Sequence, residues 1–129
     1  MRFLCQDATD LPVGTINVAF AFECVHDMPR PVEVLGAVRR TLAPGGSLVV
    51  MDEAVADAFA PDGDELEQIM YGFSLFVCLP DGLSSPPSVG TGTVMRPSTL
   101  QAYGKAAGFA AFEVIPIEHF GFWRFYRPS

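Results

Sequence analysis

The side chains best suited to chemistry stand just beyond two apolar runs. The first run, Ile16-Asn17-Val18-Ala19-Phe20-Ala21-Phe22, leads into Glu23-Cys24-Val25-His26-Asp27. The second, Ser47-Leu48-Val49-Val50-Met51, leads into Asp52 and Glu53. An imidazole with an unperturbed pKa of about 6.5 can take up a proton at neutral pH, so His26 is a candidate general base. Histidines in loops also cap or bridge backbone groups, and that reading stands beside the first. Asp52 and Glu53 can orient a substrate hydroxyl or amine, although two adjacent acids at a strand end are also ordinary solvated loop residues. Cys24, His26 and Asp27 put soft and hard metal ligands side by side. No second cluster with zinc-like spacing accompanies them, so no metal is expected. A Ser-His-Asp hydrolase fits poorly, because Ser74 lacks the Gly-x-Ser-x-Gly setting and His119 precedes a strand.

The elements that must position these groups follow from the apolar spacing. Residues 16–22, bounded by turn residues, read as a strand covered on both faces, as in parallel sheets. Over residues 31–43, Leu35, Val38 and Leu42 recur at helical spacing. Pro31 suits the first turn, and Arg39 and Arg40 suit the negative end of the dipole. Pro44-Gly45-Gly46 is expected to end this helix and residues 47–51 to form a second buried strand, completing a strand-helix-strand unit with a right-handed crossover. Open parallel sheets bind ligands beyond the carboxyl ends of their strands, which here means residues 22–26 and 52–54. Upstream, residues 2–6 are expected to form a strand ending near Gln6, followed by a loop to Gly14. Downstream, Leu66, Ile69, Met70, Phe73 and Phe76 share one face of a helix, expected to be the core face. Residues 79–97, rich in Pro, Gly, Ser and Thr, read as a loop that could act as a lid. Ser98 or Thr99 can cap a helix through Ala107, with Leu100, Tyr103 and Ala107 inward and Gly108 ending it. Strands over residues 112–117 and 119–126 should close the chain as an antiparallel pair.

The chain has 129 residues, half of them hydrophobic, and a formal charge of -7. That length allows one domain with a real core. The acidic balance argues against a nucleic-acid partner, which needs clustered Lys and Arg. The aromatic run Phe120, Phe122, Trp123, Phe125 and Tyr126 therefore reads as the core face and edge cover of the terminal hairpin rather than a base-stacking platform. Acidic residues crowd the stretch from Asp52 to Glu67, which reads as a solvated rim. Cys5, Cys24 and Cys78, odd in number and set among apolar residues, read as reduced buried thiols. No signal peptide and no apolar run of membrane-spanning length is apparent, so a soluble cytoplasmic protein without a membrane partner is expected.

Leu42-Ala43-Pro44-Gly45-Gly46 before an apolar strand, and Ala106-Ala107-Gly108-Phe109 before a β-rich end, are the most specific pieces. In this order they resemble the C-terminal part of class I S-adenosylmethionine-dependent methyltransferases, over essentially the whole chain. The resemblance implies an α/β, partial Rossmann-like methyltransferase fold, with a mostly parallel sheet and a C-terminal antiparallel hairpin. It implies one truncated domain over residues 1–129, with a variable insert at about 55–95. It implies S-adenosyl-L-methionine as cofactor and methyl transfer to a small-molecule acceptor. Asp7 and Ala8 then fall where an acid and the next backbone N–H hold the adenine, although Asp7 can equally initiate the turn before Leu11-Pro12. Phe22 and Glu23 would line the cleft beside the sulfonium. His26 would be the base, and Asp27, Asp52 and Glu53 would line the acceptor site.

The resemblance departs from the family at its front. A first strand with a glycine-rich loop, and the acid ending the second strand, have no counterpart. Gly90-Thr91-Gly92 lies in the insert with no apolar strand before it. In the family's sheet the first strand pairs with the one matched here by residues 16–22, which would leave an apolar edge. The N-terminal segment folding into the gap, a second copy of the chain or a partner carrying the missing half are the candidate covers, and a homodimer or such a partner is expected. The alternative reading is a noncatalytic methyltransferase-like remnant, acting as a dimer or as a subunit of a larger assembly.

Overall fold

Ile16–Phe22 (β1), Pro31–Thr41 (α1) and Leu42–Glu53 (β2) form the expected strand-helix-strand unit in a computed structural model that describes Phe3 and residues 5–129. The strands pair in parallel, from Val18 opposite Ser47 to Phe22 opposite Met51. Pro31 opens α1, where its missing N–H leaves no bond unmade, and the Leu42 N–H closes it on the Val38 carbonyl. β2 starts earlier than the sequence suggests. Extended backbone runs through Pro44-Gly45-Gly46, with Ile16 beside Leu42 and a register slip before Val18. Gly45 takes a φ of 79°, and a β-carbon on Gly46 would stand 2.9 Å from the carbonyl oxygens of Ala43 and Ile16. The glycines therefore bend the chain inside the strand instead of ahead of it.

Glu65–Phe73 (α2) continues through a π turn at Ser74–Cys78 into Leu79–Leu83 (α3), so helix replaces the start of the expected loop. Asp64 caps α2, its carboxylate accepting the Glu67 N–H at 2.8 Å. Pro97–Ala106 (α4) opens on Pro97 with no side-chain cap from Ser98 or Thr99, and Gly108, at a φ of 95°, follows its end. Phe112–Ile115 (β3) and Trp123–Pro128 (β4) form the expected antiparallel pair, and β4 also pairs antiparallel with β2. The sheet order is β1-β2-β4-β3. Phe3, Cys5 and Gln6 carry no strand, and residues 2 and 4 of the strand expected there lie outside the described residues.

The core lies on one face of this sheet. Ala21, Leu48, Val50 and Tyr126 pack there with Leu35 of α1 and Leu100 of α4. Gln101 fastens α4 to β3, accepting the Phe112 N–H at 2.9 Å and donating to its carbonyl. The opposite face is bare. Val18, Phe20 and Phe22 are 49%, 65% and 45% exposed, so β1 is not covered on both faces as its apolar composition suggests. Phe22 meets Phe125 edge-on at 6.2 Å, and Phe125 meets Phe120 at 5.4 Å, extending the apolar strip to the terminal hairpin. Most of the aromatic run thus faces outward, with Tyr126 its buried member. The reason is positional: among the described residues, α1 and α4 take the other face and no helix packs across this one.

Of the inward face expected for α2, Met70 is buried and Leu66 half-buried, whereas Ile69, Phe73 and Phe76 are exposed. Cys5 is also exposed, while Cys24 and Cys78 are half-buried, and all three are free thiols. Among the described residues no helix is long and apolar enough to cross a membrane.

Candidate functional site

Parallel pairing brings the ends of β1 and β2 together. Glu23 donates its N–H to the Met51 carbonyl at 3.0 Å and then takes a φ of 50°, a left-handed turn that side-chain-bearing residues rarely adopt. The turn folds the next residues back over β2. There the His26 ring, 3% exposed, donates its Nδ1–H to Asp52 Oδ1 at 2.9 Å. The same Asp52 oxygen accepts the Glu53 N–H at 3.2 Å. Glu53 Oε2 lies 3.5 Å from His26 Nδ1, and Asp27 Oδ1 lies 3.4 Å from Nε2. Asp52 and Glu53 are buried partners of the imidazole, not solvated loop acids.

The insert holds this loop from outside. Gly92 donates to the His26 carbonyl and Val89 to the Pro29 carbonyl, each at 3.0 Å. At a φ of 74°, Gly92 presses so closely on Ser74 and Leu79 that a β-carbon has no room. Gly90-Thr91-Gly92 is therefore a packing turn over the His26 loop, in keeping with its lack of a preceding strand. Farther along, Glu67 grips Arg96 at 2.7 Å and accepts the Ala56 N–H at 3.1 Å, tying α2 to the segment before α4.

Between the strand ends and the insert lies a cavity of about 300 Å³. Glu23, His26, Asp27 and Glu53 form its polar side, and Met70, Phe73 and Phe122 its apolar side. Cys78 and Thr93 complete the wall. Glu23 Oε1, Asp27 Oδ1, Glu53 Oε2 and Thr93 Oγ1 are buried without a hydrogen-bond partner, so the cavity presents polar atoms that await partners.

So many carboxyls around one ring cannot all ionise. Burial, and then the adjoining Asp52 carboxylate, push Glu53 up to about 10, which keeps it a neutral acid able to donate a hydrogen bond. Glu23 is raised by burial and then by Asp52. For His26 burial pulls the imidazole down, but its bond to Asp52 and the charges of Asp52, Asp27 and Glu23 outweigh it, leaving the ring above its ordinary 6.5.

The structure thus brings Glu23, His26, Asp27 and Glu53 to one cavity, with Asp52 directly behind the ring. Phe22 turns instead to the bare face. Asp7 and Ala8 are not among the cavity's residues. Asp7 Oδ1 accepts the Thr9 N–H at 2.8 Å and the Thr9 hydroxyl at 2.7 Å, organising the 3-10 turn Ala8–Asp10. Those bonds hold its carboxyl below the usual range. Cys78, Thr93 and Phe122 escaped sequence reading because each comes from a segment whose path over the strand ends no local pattern reveals.

Residues 1–50 match a family model described as a methyltransferase domain. Among solved structures, the chain resembles human N-acetylserotonin methyltransferase in complex with SAM, at 17% identity and a TM-score of 0.65, covering 96% of this chain and 32% of that one. PigF with SAH gives 18% identity and a TM-score of 0.65, with 95% and 32% covered. An O-methyltransferase family protein from Burkholderia thailandensis gives 19% and 0.61, again with 95% and 32% covered. This is the class I methyltransferase fold, in part. The chain spans about a third of the length of these methyltransferases. No curated protein sequence matches it significantly. In the terms of the methyltransferase fold, the His26 cavity opens at the carboxyl ends of β1 and β2, where open α/β sheets bind their ligands.

Proposed function

We propose that this chain carries the acceptor side of an S-adenosyl-L-methionine-dependent methyltransferase acting on a small molecule. The observation that carries the reading is the buried His26–Asp52 pair at the wall of a cavity with an apolar opposite side. Asp52 fixes the ring with the proton on Nδ1, which leaves the Nε2 lone pair free to take a proton from an acceptor hydroxyl or amine. Neutral Glu53 can donate a hydrogen bond to the same acceptor, and Met70, Phe73 and Phe122 offer it an apolar wall. Nε2 would take and hold the proton that an acceptor hydroxyl or amine gives up on methylation. The deprotonated ring is the competent form, so transfer should rise with pH through a midpoint above 6.5.

The cofactor supplies an electrophilic methyl group on a sulfonium. The residues here fit part of it. The two Thr9 bonds fall on Asp7 Oδ1, which leaves Oδ2 to accept an adenine amino group, and Glu23 brings an unpartnered buried oxygen to the cavity. Calorimetric titration with S-adenosylhomocysteine tests the reading. Micromolar binding, weakened at least tenfold by Asp7→Ala and retained by His26→Ala, is the expected result. A folded chain that binds none overturns it.

A second reading is favoured by the bare face of β1: a methyltransferase-like module that works only when joined to a second copy or to a partner covering residues 16–22.

A further inference from the structure

His26, Asp27 and Cys78 bring one nitrogen, one carboxylate oxygen and one sulfur together, the three atoms all lying within 4.8 Å of one another. Spacing along the chain conceals this trio, because α3 and the π turn before it carry Cys78 over the loop after β1. Nε2 and the Asp27 oxygen are 3.4 Å apart. Zinc bonds of about 2.0–2.1 Å to nitrogen and oxygen, meeting at the tetrahedral angle, put such a pair about 3.3 Å apart. The edge of a metal polyhedron is therefore already in place.

Two further observations point to a ligand there. Asp27 Oδ1 is buried without a hydrogen-bond partner. Thr93, 2% exposed, lines the same wall with its hydroxyl oxygen unpartnered. Behind the ring, Asp52 takes the Nδ1–H at 2.9 Å, the carboxylate–histidine arrangement that orients a metal-binding imidazole and fixes its tautomer. The other candidate trio, His26 with Asp52 and Glu53, would have to break that bond, so the Cys78 side is the better fit.

We propose that His26 Nε2, Asp27 Oδ1 and Cys78 Sγ bind a soft divalent cation such as zinc, with the fourth position open to the cavity. On binding, the Cys78 thiol releases its proton to solvent and the thiolate bonds to the metal. The occupied site takes the Nε2 lone pair, so metal binding and proton removal by His26 exclude one another. This regulatory consequence rests on the proposed function, whereas the binding itself does not.

The test is anaerobic titration of the reduced chain with cobalt(II), read by absorption. The expected result is a thiolate-to-cobalt charge-transfer band with intense tetrahedral ligand-field bands, all abolished by added zinc. Cys78→Ser should remove the charge-transfer band while Cys5→Ser and Cys24→Ser keep it, and Asp27→Asn should weaken binding about tenfold or more. Asp27→Asn guards against a Cys78 variant that fails to fold, which circular dichroism detects. No charge-transfer band in the folded chain, or one that survives Cys78→Ser, overturns the site. Because no methyl transfer is measured, failure of cofactor binding leaves this result readable.

Discussion

The two faces of the sheet are built from similar residues and have opposite fates. Ala21, Leu48, Val50 and Tyr126 vanish beneath α1 and α4, while Val18, Phe20 and Phe22, alternating with them along β1, stand in the open. Composition does not separate the faces; what packs on them does. One face carries the chain's stability and the other offers apolar surface for association.

The sharpest way to break this comparison is to delete side chains from both faces. Leu48→Ala should cost about 3 kcal/mol through lost burial and a residual cavity. Phe20→Ala should change the unfolding free energy by about 0.5 kcal/mol or less, as substitutions at unpartnered surface positions do. Urea unfolding of the isolated chain measures both, and equal losses would mean that the bare face is covered in solution.

The next effect belongs to the rim of the buried face, where Glu53 ends β2. Its folded pKa of about 10 lies above the ordinary 4.5, so its contribution to stability is complete below pH 4.5 and is lost as pH rises toward 10. His26 is also raised, and its contribution, complete below 6.5, is lost as pH rises through its folded value. Stability should therefore fall with pH through the neutral range. Glu53→Gln should flatten that slope and raise the unfolding free energy at pH 8 by about 1–2 kcal/mol, as denaturant unfolding across a pH series would reveal. An unchanged slope would mean that Glu53 is ionised.

The smallest effect on stability sharpens the comparison most. If the bare face and the β1 edge mediate self-association, sedimentation at tens of micromolar should find dimers, and Phe20→Glu should return them to monomer with unfolding almost unchanged. A strictly monomeric parent chain would remove the second copy as the cover of β1.

The order of elements was legible because periodicity and turn residues are local. β1 and α1 stand close to where the apolar runs put them, whereas the last strand of the terminal hairpin, expected from residue 119, begins at Trp123. Burial was less legible, since an apolar strand reads alike whether or not anything covers it. For the same reason Ile69, Phe73 and Phe76 read as a core face although of the apolar residues of α2 only Met70 is fully buried. At the site, His26 and Glu53 could be singled out because strand ends in parallel sheets gather ligands. Their coupling through Asp52 could not, since it depends on the backward fold that Glu23 makes in its left-handed turn. Asp7 was open to two readings, and its carboxylate organises its own turn.

The pairing of β2 with β4 gives the site a history. β1, α1 and β2 are contiguous and can assemble as soon as they leave the ribosome, but Asp52 lies opposite Arg124 and Glu53 opposite Trp123. Several seconds of further synthesis separate the two strands. Until β4 docks, the outer edge of β2 at those residues has no strand beside it. The strand that flanks the cavity's carboxyls is therefore the last of the sheet to be synthesised.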